Sequence, residues 1–396
     1  MAKSKFNEKI ERIAISDIRR FDEEVSAIPD ILKLTLGGEP DFKTPEHIKK
    51  AAIKAIEADH SHYSPTGGIM PLRAAAAAYY NEKYDLNYTP EQVVTTVGAT
   101  EAIAASLQTV LNPDETVIVP TPIFPLYIPI TKINDGRVIL TDTSADGFIL
   151  TAARLRKIIA EYPLAKVKAV VLNYPCNPTG VTYSRKQLAE LAAVIREQGL
   201  WVISDEIYAE LTYAKKHVSM ASILPEQTIL VTGLSKSHAM TGWRMGFILG
   251  PQDFIDQALK AHQNMVTSAT TSVQFAGLEA MQNGKQDSVP MRKEYARRRD
   301  FLIKELTQLG FQMASQMGAF YLFAKIPANC PQSSWKFVRD LAHQAKVALI
   351  PGISFGPGGE GYVRLSYAAS YESLVEAVKR IRGYVTARGP VEPAAK

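Results

Sequence analysis

Short, uninterrupted apolar runs alternate with amphipathic stretches through the middle of the chain. ETVIVP (115–120), KAVVLNYP (168–175), LWVISDE (200–206), TILVTG (228–233) and RMGFILG (244–250) are too short for helices. Their apolar residues are consecutive rather than alternating, the mark of strands buried on both faces. Between two of these runs lies YSRKQLAELAAVIREQG (183–199). It opens on a capping box, Ser184 with Gln187, and closes on Gly199, as a helix does. MPLRAAAAAYY (70–80), with its run from Ala74 to Ala78, reads as a helix of high intrinsic propensity. The alternation predicts an α/β chain, a mainly parallel sheet with helices on both faces.

The character changes after about residue 285. GAFYLFAKIP (318–327) and GYVRLSYA (361–368) alternate like half-buried strands. SSWKFVRDLAHQAK (333–346) and ESLVEAVKRIRGYV (372–385) have the pattern of amphipathic helices. The expected organisation is a large domain over 44–285 and a smaller α+β domain built from 1–43 with 286–388. Residues 389–396 are expected to form a mobile tail. The basic cluster MRKEYARRRD (291–300) is expected to be the solvated face of a helix.

Composition narrows the function classes. The 396 residues suit two to three domains at about 150 residues each. Forty-five Lys and Arg against forty Asp and Glu leave a scattered excess of +5, which argues against a nucleic-acid or anionic-membrane surface. No apolar run approaches the roughly 18 residues of a membrane span. The N-terminus is too charged for a signal peptide. Cys176 and Cys330 are too few for a disulfide framework, and the seven histidines show no metal-ligand spacing. A cytoplasmic enzyme without a structural metal is expected.

Candidate chemistry gathers at strand ends, where doubly wound sheets bind their ligands. NYPCNPTG (173–180) follows one strand; Asp205 and Tyr208 follow the next; Ser235 and Lys236 follow a third. Gly98, Ala99 and Thr100 lead from VVTTVG into a helix. Each alone has a plain reading: turn chemistry for Asn177, an N-cap for Asp205 or Thr100, a loop lysine for Lys236. In combination they supply an amine nucleophile, a carboxylate to hold a heteroaromatic nitrogen protonated, and a helix N-terminus for a phosphate. Those three parts describe a pyridoxal phosphate site.

The motif SKSHAMTGWRMG (235–246), with Lys236 eight residues before Arg244, resembles the cofactor-lysine signature of the class I and II aminotransferases. NYPCNPTG, SDEIY and GYVRLSYA match that family's other landmarks in order, as do LGGEPDFKTPEH (36–47) and HYSPTGGIMPLR (62–73). Within the family the chain is similar to aromatic amino acid aminotransferases of lactic acid bacteria, some of whose relatives are labelled N-acetyl-diaminopimelate aminotransferases. The resemblance implies a fold type I enzyme in which Lys236 forms a Schiff base with pyridoxal 5'-phosphate and then moves the substrate proton. It implies that Asp205 pairs with the ring nitrogen, that Tyr208 and Asn177 bond the ring's phenolic oxygen, and that Phe124 stacks on the ring. The phosphate falls to Gly98, Ala99, Thr100, Ser235 and Arg244, with Tyr63 reaching in from a neighbouring subunit of a homodimer. Arg364 grips the substrate α-carboxylate beside Asn177 and a glycine.

Two positions depart from the family pattern. Gly37 and Gly38 both precede EPDF, and Gly38 is the expected substrate-facing one; Gly233 stands where some relatives carry a phosphate-binding serine. The expected reaction moves an amino group from an aromatic L-amino acid to a 2-oxo acid such as 2-oxoglutarate, by a ping-pong route. Aspartate or N-acetyl-L,L-diaminopimelate donors are the alternative, and a C–S lyase a more distant one. Ile15, Ile18 and Phe21 form either an apolar lid or a helix packing on a neighbour. Arg19 and Arg20 lie in the segment where a distal-carboxylate arginine would sit. GPGGEG (356–361) spells a dinucleotide fingerprint, but its proline and the strand-like stretch behind it mark a turn instead.

Overall fold

The computed structural model describes residues 5–35, 39–162, 166–213 and 215–390. Thirteen strands occur among them: β1 (Leu32–Lys33), β2 (Val93–Val97), β3 (Thr116–Thr121), β4 (Arg137–Asp142), β5 (Val167–Asn173), β6 (Trp201–Asp205), β7 (Thr228–Gly233), β8 (Met245–Leu249), β9 (Gln312–Met313), β10 (Tyr321–Lys325), β11 (Val347–Ala348), β12 (Ile350–Pro351) and β13 (Tyr362–Ser366). Seven form one large sheet in the order β2-β8-β7-β6-β5-β3-β4. All run the same way except β8, which is antiparallel to both neighbours.

The unbroken apolar runs follow from burial on both faces. Val117, Val119, Val171, Ile203 and Val231 pack with residues of the helices Gly98–Val110 and Gln252–Val266. Their strand neighbours Ile118, Val170, Leu172 and Val202 turn the other way, against Leu155, Ile158, Leu188 and Leu191 of the helices Ala152–Glu161 and Arg185–Gln198. A strand alternates its side chains between faces, so two dry faces require apolar residues at every position. The expected capping box is present at Ser184 and Gln187, and Gly199 closes that helix at φ 61°. The alanine run lies in the helix Met70–Tyr84.

The second sheet is antiparallel, in the order β12-β13-β10-β9. Its strands depart from the expected half-buried alternation: Tyr321, Leu322, Phe323 and Ala324 are all buried. One face of this sheet meets helices, and the other turns towards Tyr208, so neither is wet. Ile18, Phe21, Val25 and Leu34 from the start of the chain share this core with Leu374, Ile381 and Val385 from its end. Ile18 and Phe21 are therefore spent inside their own chain, Phe21 edge-on to Trp335 at 5.5 Å, and only Ile15 of that trio is exposed. Buried in this way, those two residues offer no face for packing on a neighbour.

The basic cluster lies on a helix as expected, with Lys293 and Arg297 exposed, but one of its arginines turns inward. In the helix Ser288–Thr307, Arg298 is buried and bonds Asp41 and Glu294, while Met291 and Tyr295 enter the core. A buried guanidinium needs carboxylates around it, and here it has two. Residues 356–361 form the turn between Gly352–Phe355 and β13, with Gly356, Gly358 and Gly361 all at positive φ. A turn into a strand is the opposite of a dinucleotide site. Residues 391–396, most of the expected tail, lie outside the described residues, as do Gly37 and Gly38.

Candidate active site

Because six strands of the large sheet share one direction, their carboxyl ends share one edge. Val97, Asn173, Asp205 and Gly233 end their strands there, and β8 begins there, immediately after Arg244. Register sets the spacing: Asp205 pairs with Asn173 on one side and Val231 on the other, and Gly233 pairs with Gly246. Residues scattered over more than a hundred positions are thus side by side.

Asp205 is 5% exposed. Tyr127 donates its hydroxyl to Oδ2 at 2.6 Å and the Ile207 N–H donates to Oδ1 at 3.2 Å. Burial nevertheless raises its pKa from the ordinary 3.8 to about 6, against the opposing pull of those two donors and Lys236. A carboxyl so placed gains from a cationic partner. Lys236 lies in the short helix Leu234–Ser237, its Nζ 5.8 Å from the centre of the Tyr208 ring. Burial pushes its ammonium down to about 8, with Arg244 and Arg364 adding to the effect and Glu39 and Asp205 opposing it. The Tyr208 hydroxyl shares a 2.8 Å hydrogen bond with Tyr321.

The turn from β2 into the helix Gly98–Val110 forms an anion cradle. Gly98 has φ +73°, and a Cβ there would lie 2.5 Å from Arg244 Nη2. A Cβ on Gly246 would lie 2.7 Å from the Ala99 nitrogen. Two absent side chains thus let the Arg244 guanidinium and the first N–H groups of the helix, at Ala99 and Thr100, approach one place. Ser235 is buried nearby in sequence, at the end of β7. Gly233 tolerates no side chain: its Cβ would meet the Met245 carbonyl at 2.7 Å. The serine of some relatives has no room here.

Arg364, on β13, is 3% exposed. Nη1 donates to Asn177 Oδ1 at 2.9 Å and Nη2 to the Thr35 carbonyl, while Nε has no partner. The Asn177 N–H in turn donates to Asn173 Oδ1 at 3.0 Å. Phe124 is 38% exposed, in the loop after β3, so it does not serve as core filler; Tyr63 is 88% exposed and faces away from its own chain's packing. Tyr127, Tyr321, Asn173 and Thr35 carried no signal in the sequence. Tyrosines in apolar context read as core, and a backbone carbonyl leaves no trace in side-chain chemistry.

These residues pass an independent test for a phosphorylated pyridine cofactor. The cradle that a Cβ would fill suits a phosphate, the buried Asp205 suits a protonated ring nitrogen, and the unpartnered Arg364 Nε suits a further anion. Fold and site together define a fold type I pyridoxal-phosphate enzyme. The family model described as "Aminotransferase class I and II" matches residues 29–381. The chain is 43% identical to the "Probable N-acetyl-LL-diaminopimelate aminotransferase" of Bacillus subtilis, over 96% of this chain and 95% of that protein. It is 36% identical to "Aromatic-amino-acid aminotransferase 2" of Thermococcus litoralis, over 95% of this chain and 97% of that one. Among solved structures, the aspartate aminotransferase of Thermus thermophilus with maleate matches with a TM-score of 0.90 and 34% identity, covering 96% of this chain and all of the other. The chain belongs to the class I and II aminotransferases, and it is a pyridoxal-phosphate-dependent enzyme. No helix among the described residues is long and apolar enough to cross a membrane.

Proposed function

We propose that this aminotransferase takes the amino group of an aromatic L-amino acid and passes it to a 2-oxo acid such as 2-oxoglutarate, as a homodimer with shared sites. Residues 44–285 are the cofactor-binding domain, and 1–43 with 286–388 the small domain that brings Arg364 to it. The carrying observation is the Arg364 fork: a buried guanidinium held by two neutral acceptors, with no carboxylate in ion-pair reach among the described residues. Such a group is positioned for an incoming α-carboxylate, and its planar donors fix the orientation of what it binds. The Tyr321 and Phe355 rings lie 4.7 and 5.0 Å from its Cζ and hold the guanidinium between aromatic surfaces. Arg20 is committed to Asp17 at the surface, and Arg19 is exposed, so neither supports a distal-carboxylate role.

Asp205, Tyr208 and Asn177 would hold the ring of the cofactor, Phe124 would cover it, and Gly98, Ala99, Thr100, Ser235 and Arg244 would hold its phosphate. When bound, pyridoxal phosphate supplies an electron-accepting ring that stabilises the charge left as the substrate Cα loses its proton. Lys236 Nζ takes and returns that proton. Burial lowers its pKa to about 8 in the cofactor-free chain, so more of it is unprotonated at neutral pH than in an exposed lysine. Arg364 and Asn177 orient the substrate so that the Cα proton faces this amine.

The test is a half-reaction without any 2-oxo acid, followed by absorbance as single amino acids are added to the holoenzyme. Conversion by phenylalanine or tyrosine at lower concentration than by aspartate supports the aromatic reading. Preference for aspartate or N-acetyl-L,L-diaminopimelate overturns it. Release of pyruvate from cystathionine in place of amino transfer would point to a C–S lyase.

A further inference from the structure

Behind the anion cradle lies a buried pair that the chemistry above does not use. Glu101, in the first turn of the helix Gly98–Val110, folds back so that Oε2 accepts the Val97 N–H at 3.0 Å. Its other oxygen, Oε1, lies 3.1 Å from Nδ1 of His262, which is fully buried on the helix Gln252–Val266. His262 Nε2 lies 2.9 Å from the Thr66 carbonyl. A carbonyl only accepts, so Nε2 must carry a proton. One more proton must then sit between Nδ1 and Oε1, because two lone pairs cannot face each other at that distance. Glu101 and His262 together are therefore neutral.

Position gives that neutrality a consequence. Glu101 sits one turn from the N–H groups at the helix start, in the positive end of the helix dipole, where a bare carboxylate would compete with a bound phosphate. Thr66 belongs to the segment that carries Tyr63, and this segment is tied down again by the Thr271 hydroxyl on the His62 carbonyl and by Gln274 on Ser64. We propose that Glu101 and His262 are positioning residues of the cofactor's phosphate site. His262 supplies the proton that cancels the Glu101 charge behind the cradle, and it joins the cradle to the Tyr63 segment. The inference rests on reading the cradle as that phosphate site.

The experiment measures the dissociation constant of pyridoxal phosphate from the cofactor-stripped full chain, and of inorganic phosphate competing with it. His262→Phe leaves Glu101 charged and unbalanced, and both constants are expected to rise at least tenfold. Glu101→Gln still accepts from Val97 and donates to His262 Nδ1, so it should bind nearly as the parent does. In the double variant no charge remains to be balanced, and most of the loss should be recovered. A purely structural His262 predicts no recovery, and that result overturns the proposal, as does a His262→Phe variant that binds normally. If His262→Phe yields no folded protein, His262→Gln keeps an N–H for Thr66 and allows the same comparison. Arg244→Leu separates the two readings: if it leaves phosphate competition unchanged, the cradle assignment itself fails.

Discussion

Lys236, Asp205 and Arg364 each owe their chemistry to burial, and each makes a distinct prediction. Lys236→Ala should abolish amino transfer and the lysine-linked cofactor absorbance band, and full turnover in that variant would overturn its assignment. Asp205 keeps its proton up to about pH 6 instead of the ordinary 3.8 in the cofactor-free chain. Between those values the folded state binds more protons than the unfolded one, so this group's contribution to stability falls as pH rises from about 4 to 6. Cofactor-free Asp205→Asn should lack that part of the dependence in denaturant titrations at pH 4 and 6.5, and should turn over at least 100-fold more slowly as holoenzyme. Arg364→Lys should raise KM for the amino acid about tenfold or more, since a point charge cannot replace a fork braced on Asn177 and Thr35. Near-normal steady-state kinetics would remove Arg364 from the site. The motifs in the sequence single out all three as candidates. They do not single out the partners Tyr127, Tyr321 and Thr35, because nothing local distinguishes a tyrosine that holds a carboxylate from one that fills a core.

Among the elements, the long apolar strands and capped helices were legible because local pattern and burial agree. β10 and β13 were misread in one respect: their alternation suggested a wet face, but that face meets Tyr208 and Asn177 across the site. Contacts between segments so far apart have no local signature. The turn at Gly98 carries the element-scale prediction. A methyl at φ +73° is strained, and it would press on the Arg244 guanidinium. Gly98→Ala should weaken pyridoxal phosphate binding at least tenfold in equilibrium titration, with far-ultraviolet circular dichroism close to the parent's. Unchanged affinity would show that Arg244 and the helix start need no such closeness.

For the whole molecule, the exposed Tyr63 is the informative residue. If it completes a neighbour's site, the Tyr63→Ala and Lys236→Ala defects of a mixed dimer fall in one site and leave the other intact. Co-refolding the two variants should then restore activity well above the sum of the separate proteins. Simple additivity would mean that each chain completes its own site. The measurement also requires a dimer by light scattering.

The sequence by itself determined the strands, the helix caps, the cofactor chemistry and the family, because those depend on residue type at short spacing. The tertiary structure decided the rest. It set which strand ends are neighbours, how Asp205 acquires Tyr127, and why Gly233 excludes a serine. It also consumed Ile18 and Phe21 in the core and brought Glu101 within 3.1 Å of His262. The physical reason is common to all of these. Burial and partner identity are set by residues distant along the chain, and they alone move a pKa, fill a space or leave a donor open.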